Sequence, residues 1–161
     1  MGAIISLHRL VRIRKALRRR GKRVVFTNGT FDIIHRGHVE YLAAARKMGD
    51  VLVVGLNTDA SIRRIKGKNR PINPQRDRAI VLASLASVDY VCLFGGDTPA
   101  ALIARLVPDV LVKGADWKAS AIVGADVVLA HGGAVRRVRL TAGRSTTGVI
   151  ERVLRTHAGQ G

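Results

Sequence analysis

The apolar positions of this chain gather in short runs separated by polar, glycine-containing breaks. "RVVFTN" (23–28), "VLVVGL" (51–56), "DYVCLF" (89–94), "DVLVKG" (109–114) and "AVRRVRL" (134–140) predict strands. The first four are β-branched and nearly continuous in apolar character, the pattern of a parallel sheet covered on both faces. Between them the apolar spacing turns helical. Asn73-Pro74 opens "QRDRAIVLASLA", with Asn as cap and Pro as first helical residue, and Thr98-Pro99 opens "AALIARL" in the same way. Further helices are predicted over 36–48 and, after "GRST", over 147–156. Strand alternating with helix predicts one doubly wound α/β domain, with its ligand outside the carboxyl ends of the strands where strand order reverses.

Composition narrows the picture. A chain of 161 residues can bury a single sizeable core, and with aromatics at 4% that core must be built from Val, Leu, Ile and Ala. No apolar stretch approaches the roughly 20 residues of a membrane-spanning helix. The lone Cys92 sits in an apolar run, so no disulfide framework exists; a buried small hydrophobe in a reducing, cytoplasmic setting fits it.

Charge adds a second feature. The formal net charge is +17, and Arg9 to Arg23 holds nine Lys or Arg and no acid. Leu7, Leu10, Val11 and Leu17 fall at helical spacing there, which predicts an amphipathic helix with a solvated cationic face. Binding of nucleic acid or of an anionic membrane surface is the alternative use of such a face. The opening "MGAIIS" also matches the myristoylation pattern, one short enough to arise by chance. The chain thus divides into a basic helix or arm (1–21), a main domain (22–157) and a tail (158–161).

The stretch with chemical content is "TNGTFDIIHRGH", Thr27 to His38, at the carboxyl end of the first long strand. Gly29 allows close backbone approach, and the helix that follows turns its positive end to the same place. His35 and His38 share one side of a helical turn, and Gly37 between them keeps the space clear. Imidazole N–H groups can donate to phosphate oxygens without a permanent charge. The pattern therefore points to nucleotide phosphate binding, with an ordinary strand-to-helix turn as the alternative. A P-loop is absent, no third and fourth ligand accompanies His-x-x-His at zinc-like spacing, and no nucleophile elbow occurs.

"GTFDIIHRGH" resembles the Gly-x-Phe-x-x-x-His-x-Gly-His signature of the cytidylyltransferase-like nucleotidyltransferases. "YLAAARKMGDVLVVGLNTDASIRRIKGKNRPINPQRDR", "PDVLVKGADW", "IVGAD" and "GRSTTGVIERV" follow, in order and spacing, the D-glycero-D-manno-heptose 1-phosphate adenylyltransferase branch. Members of that branch often form the second domain of a bifunctional heptose kinase/adenylyltransferase. The likeness runs from Lys22 to Leu154, with Thr30 standing where the branch usually has Cys and the glycerol-phosphate cytidylyltransferases often have Thr.

The resemblance implies a Rossmann-like parallel sheet of five strands in the order 3-2-1-4-5, and a reaction of ATP with heptose 1-phosphate to give ADP-heptose and pyrophosphate. It implies that His35 and His38 are catalytic and hold the triphosphate, with Mg2+ carried mainly by the nucleotide. Thr30, Phe31, Gly37, Lys113, Gly114, Asp116, Ser145, Thr146 and Thr147 would contact the nucleotide, and Trp117 would flank the base. Lys66, Arg70 and Arg78 would meet substrate phosphate or pyrophosphate. Asp32 reads as a turn-orienting carboxylate, with metal ligation the alternative. A separate kinase would supply the sugar phosphate, and a homodimer is among the assemblies the resemblance allows.

Overall fold

The computed structural model describes residues 1–115, 121–139, 141, 143 and 145–157. The elements run β1 (Ala3–Ile4), α1 (Leu7–Arg19), β2 (Val24–Gly29), α2 (Arg36–Arg46), β3 (Val51–Asn57), α3 (Asp59–Lys66) and α4 (Gln75–Ser84). They continue with β4 (Tyr90–Phe94), α5 (Ala100–Leu106), β5 (Val110–Gly114), α6 (Ala125–Ala130), β6 (Ala134–Val138) and α7 (Thr146–His157).

All strands pair in parallel, in the order β1-β4-β3-β2-β5-β6. The chain steps outward from β2 to β3 and β4, then crosses back to β5 on the other side of β2, so the topological switch lies between β2 and β5. The long strands keep the predicted order. The predicted count of five becomes six, because Ala3–Ile4 adds an edge strand beside β4. Two residues carry no readable periodicity; the strand exists because Ala3 N donates to Asp89 O at 2.9 Å and Ile5 N to Val91 O at 2.9 Å.

Successive strand residues point to opposite faces, and this divides the core in two. Val25, Leu52, Val54 and Val112 meet Leu42 and Ala45 of α2 and Leu82 of α4. Val24, Phe26, Val53 and Leu111 meet Leu10 of α1, Ile103 and Leu106 of α5 and Val128 of α6. The basic helix is therefore anchored by its apolar side: Leu10 is 1% exposed, and buried Arg14 donates to Asp109 Oδ1 at 2.8 Å. Its remaining arginines face solvent.

Three aspartates fasten the amino ends of the strands to their neighbours. Asp50 accepts from Arg23 N at 2.8 Å, Asp89 from Leu52 N at 2.7 Å, and Asp109 from Val24 N at 2.7 Å. With that end held by charge-assisted bonds, the opposite, carboxyl end is where the loops diverge and a ligand can enter. Helices α3 and α6 were not anticipated from periodicity; at 8 and 6 residues each is too short to show a clear repeat. Helix α4 begins after Pro74 as cap, because the predicted cap, Asn73, turns its amide to Asp32 O at 2.6 Å. In the same way Pro99, not Thr98, precedes α5 directly.

Candidate active site

A cavity of about 550 Å³ opens over the carboxyl ends of the central strands. Strand β2 ends at Gly29, where an added Cβ would come within 2.9 Å of the Phe31 ring, so only glycine lets that ring tuck under the strand. Phe31 itself takes the left-handed conformation (φ 41°) with its side chain buried, a strained arrangement that fixes the turn's direction. The chain then enters α2 through His35, an extended N-cap whose side chain makes no capping bond. His38 N donates to His35 O at 2.9 Å, and no side-chain cap meets the Arg36 and Gly37 amides ahead of it.

His35 and His38 stack with centroids 3.8 Å apart and 22° between planes, and Phe31 meets His38 edge-on at 5.2 Å. Burial, then repulsion from His35 and from Lys66, lowers the His38 pKa to about 4, against a hydrogen bond to the Ile33 backbone that raises it. The ring is a neutral donor at physiological pH. Because the folded chain resists a proton that the unfolded chain accepts below 6.5, stability present above that pH is lost as the pH falls towards 4. A histidine-resolved NMR titration should give His38 a midpoint near 4 in the free protein. The midpoint should move up on adding ATP, since a polyanion favours the imidazolium; an ordinary midpoint unmoved by ATP would contradict this geometry.

Of the residues singled out from sequence, Thr30, Phe31, His35, Gly37, His38, Lys66, Lys113, Gly114, Ser145, Thr146 and Thr147 all line this one cavity. Lys113 donates to Asn28 Oδ1, which holds its ammonium at the β2–β5 switch. Lys66 reaches towards Thr30 Oγ1 at 3.4 Å, and burial together with Arg70 holds its ammonium below the ordinary lysine range. Ser145 caps α7, its Oγ accepting from Gly148 N at 3.0 Å. Asp116 and Trp117 lie outside the described residues.

Two of the predicted phosphate contacts, Arg70 and Arg78, are engaged by other groups of the fold. Arg78 is 2% exposed, and its guanidinium is consumed by the fold. It donates to Asn73 O at 2.9 Å, Thr30 O at 2.6 Å, Asn57 O at 3.0 Å and Asp59 Oδ1 at 2.7 Å. A side chain so committed holds the turn that carries Thr30; it does not reach a phosphate. Arg70 is outside the cavity lining and binds Asp32 at 2.7 Å. Asp32 is the turn-orienting carboxylate: Ile72 N and Asn73 N both donate to it at 2.9 Å. Burial pushes its pKa up, yet the two amides and Arg70 outweigh that and leave it below the usual carboxylate range.

The sequence did not single out Asn28, Asn57, Ile65, Asp97, Thr98 or Thr141, all of which line the cavity. Asn57 is the last residue of β3 and Asp97 lies in the loop after β4, so the rule that ligands sit at strand carboxyl ends was the available signal. Thr141 is brought in by a bond to Glu40 of α2 that no spacing announces.

A parallel sheet with a phosphate-sized donor cluster at its switch point defines a nucleotidyltransferase-type α/β enzyme. The chain belongs to the cytidylyltransferase-like family, whose model matches residues 26–152. It is 53% identical over 151 residues to the bifunctional protein HldE of Syntrophotalea carbinolica, covering 89% of this chain and 31% of that one. It is 58% identical to the HldE of Campylobacter concisus, covering 82% and 27% respectively. The chain thus spans about three tenths of the length of these curated relatives. Among solved structures, a lipopolysaccharide core biosynthesis protein from Thermoplasma volcanium superposes with a TM-score of 0.61 at 31% identity, covering 75% of this chain and 98% of that one.

Proposed function

We propose that the protein transfers the adenylyl group of ATP to D-glycero-D-manno-heptose 1-phosphate, releasing pyrophosphate and forming ADP-heptose. The observation that carries this is the pair of stacked imidazoles at the uncapped amino end of α2, flanked by Lys66 and Lys113. The heptose branch comes from the motifs between Lys22 and Leu154 and from the likeness to HldE proteins.

A sugar phosphate oxygen, already anionic, attacks the α-phosphorus of ATP as the bond to the pyrophosphate oxygen breaks. No proton is abstracted, so no strong base is required. The protein's work is positioning and neutralisation of charge that grows on the phosphate oxygens. His35 and His38 donate to the triphosphate; the α2 amides and Lys66 face the same charge. Gly37 leaves room, while Ser145 to Thr147 and the Lys113–Gly114 strand end hold the nucleoside side. Magnesium enters as part of the nucleotide substrate. A divalent cation would be held mainly by the triphosphate oxygens and would help neutralise the charge on the departing pyrophosphate. Use of ATP fits a cytoplasmic setting, downstream of a kinase that phosphorylates the sugar at its anomeric oxygen.

One observation favours a second reading: Thr30, which lines the cavity, is the residue common in glycerol-phosphate cytidylyltransferases. Pyrophosphate release measured over ATP and CTP, each with heptose 1-phosphate and glycerol 3-phosphate, separates the two. Turnover of ATP with heptose 1-phosphate is expected. Turnover of CTP with glycerol 3-phosphate alone would replace the first reading with the second.

A further inference from the structure

The cavity has two sides, and only one is used by the nucleotide contacts described above. The sheet order places Lys113, Gly114 and Ser145–Thr147 on the β5 side of the histidines. On the β3–β4 side the same cavity is lined by Asn57, Ile65, Lys66, Asp97 and Thr98. With the triphosphate across the central turn, this second side is the space left for the acceptor.

Its charge is unusual for a phosphate-handling site. One cation, Lys66, faces the central turn, and one carboxylate, Asp97, stands at the far wall. Asp97 is held in place by α3. Arg64 Nε donates to Asp97 Oδ1 at 2.7 Å, Arg64 Nη2 to Gly95 O at 2.5 Å, and Ser61 Oγ to Gly96 O at 2.8 Å. The three bonds fix the loop 95–97 from one helix. Asp97 remains 57% exposed, and among the described residues its only partner is Arg64, through one oxygen. Its second oxygen makes no hydrogen bond to a described residue, and Asp97 lines the cavity. Thr98 beside it is exposed and adds a hydroxyl.

We propose that Asp97, positioned by Arg64, is the acceptor-selecting residue: it accepts hydrogen bonds from the distal hydroxyls of a polyhydroxylated sugar phosphate and repels acceptors bearing a second anionic group. The inference rests on the heptose reading of the site and extends it to the substrate's far end. An acceptor with one phosphate and several hydroxyls matches one cation near the reacting centre and one fixed acceptor beyond it. A short acceptor such as glycerol 3-phosphate has its phosphate at the centre and too few carbons to engage the far wall. A bisphosphate would set a second dianion against a carboxylate, a like-charge contact that the site disfavours.

The test measures kcat/KM by pyrophosphate release with ATP and three acceptors: heptose 1-phosphate, heptose 1,7-bisphosphate and glycerol 3-phosphate. In Asp97→Asn and Asp97→Ser, kcat/KM for heptose 1-phosphate should fall about ten- to a hundredfold, the usual effect of losing a charge-assisted hydrogen bond. Activity on the bisphosphate should rise relative to it, and activity on glycerol 3-phosphate should stay at its parental level. The Kd for ATP should be unchanged in both variants, which also reports that they fold. Arg64→Ala should raise the KM for heptose 1-phosphate by releasing Asp97, without the relative gain on the bisphosphate because the carboxylate remains, and its combination with Asp97→Asn should add little to the loss on heptose 1-phosphate. Parental acceptor selectivity in both Asp97 variants of an active enzyme overturns this inference alone. A parental enzyme inactive on every sugar 1-phosphate overturns the functional reading, and this inference with it.

Discussion

Replacing His38 with alanine should lower kcat for nucleotidyl transfer by about a hundredfold, equivalent to roughly 3 kcal/mol of transition-state stabilisation. The same change at His35 has an effect of similar size. The two rings stack at 3.8 Å, so they act as one unit and the double variant should lose less than the product of the single effects. The loss should fall on kcat more than on the KM for ATP, because charge on the phosphate oxygens grows as pyrophosphate departs. Asn at either position keeps a donor and should recover part of the rate. Thermal unfolding of the variants separates chemistry from folding, since the rings are only half-buried. A double-alanine protein that works at the parental rate would remove the histidines from the mechanism altogether.

Arg78→Met should destabilise the fold by about 3–5 kcal/mol, the cost of breaking a buried ion pair and leaving its partners unsatisfied. Thr30 O, Asn57 O, Asn73 O and the Asp59 carboxylate all lose their donor at once. For a domain of this size that amounts to a drop in Tm of roughly 10 °C or more. Arg78→Lys should recover little, because a single ammonium cannot reach partners spread over the turn after β2, the end of β3, α3 and the loop before α4. If Arg78 instead bound substrate phosphate, the variant would keep its Tm and lose affinity for ATP or the sugar phosphate. Denaturation curves together with ATP titration distinguish the two outcomes.

How the site could be read from the sequence varied with the kind of signal. The turn from Thr27 to His38 was legible because everything it needs is local: a strand end, a glycine that no side chain can replace, and two histidines one helical turn apart. The chain segments 23–28, 51–56, 89–94 and 109–114 were legible because β-branched runs buried on both faces leave little polar noise. The partners of Arg70 and Arg78 were not legible for a physical reason. In a basic chain, an arginine near a phosphate motif looks like a ligand, and nothing local announces that Asp32 and Asp59 will claim it. Edge strand β1 was missed because two residues have no period.

Asp97 and Thr141 show the same limit from the other side. Each is an ordinary polar residue in its own sequence neighbourhood. Asp97 enters the cavity because α3 grips loop 95–97, and Thr141 because its hydroxyl donates to Glu40, far away in the chain.

The sequence by itself determined the alternation of strand and helix, the parallel α/β architecture and the place of the histidine-bearing turn, since each follows from patterns within a few consecutive residues; the order of the long strands came from the family resemblance. Which arginines serve the fold and which cations face the cavity was decided only by tertiary structure. A guanidinium's role depends on which carbonyls and carboxylates the packing of distant segments brings within about 3 Å of it, and that distance is not written in any local run of residues.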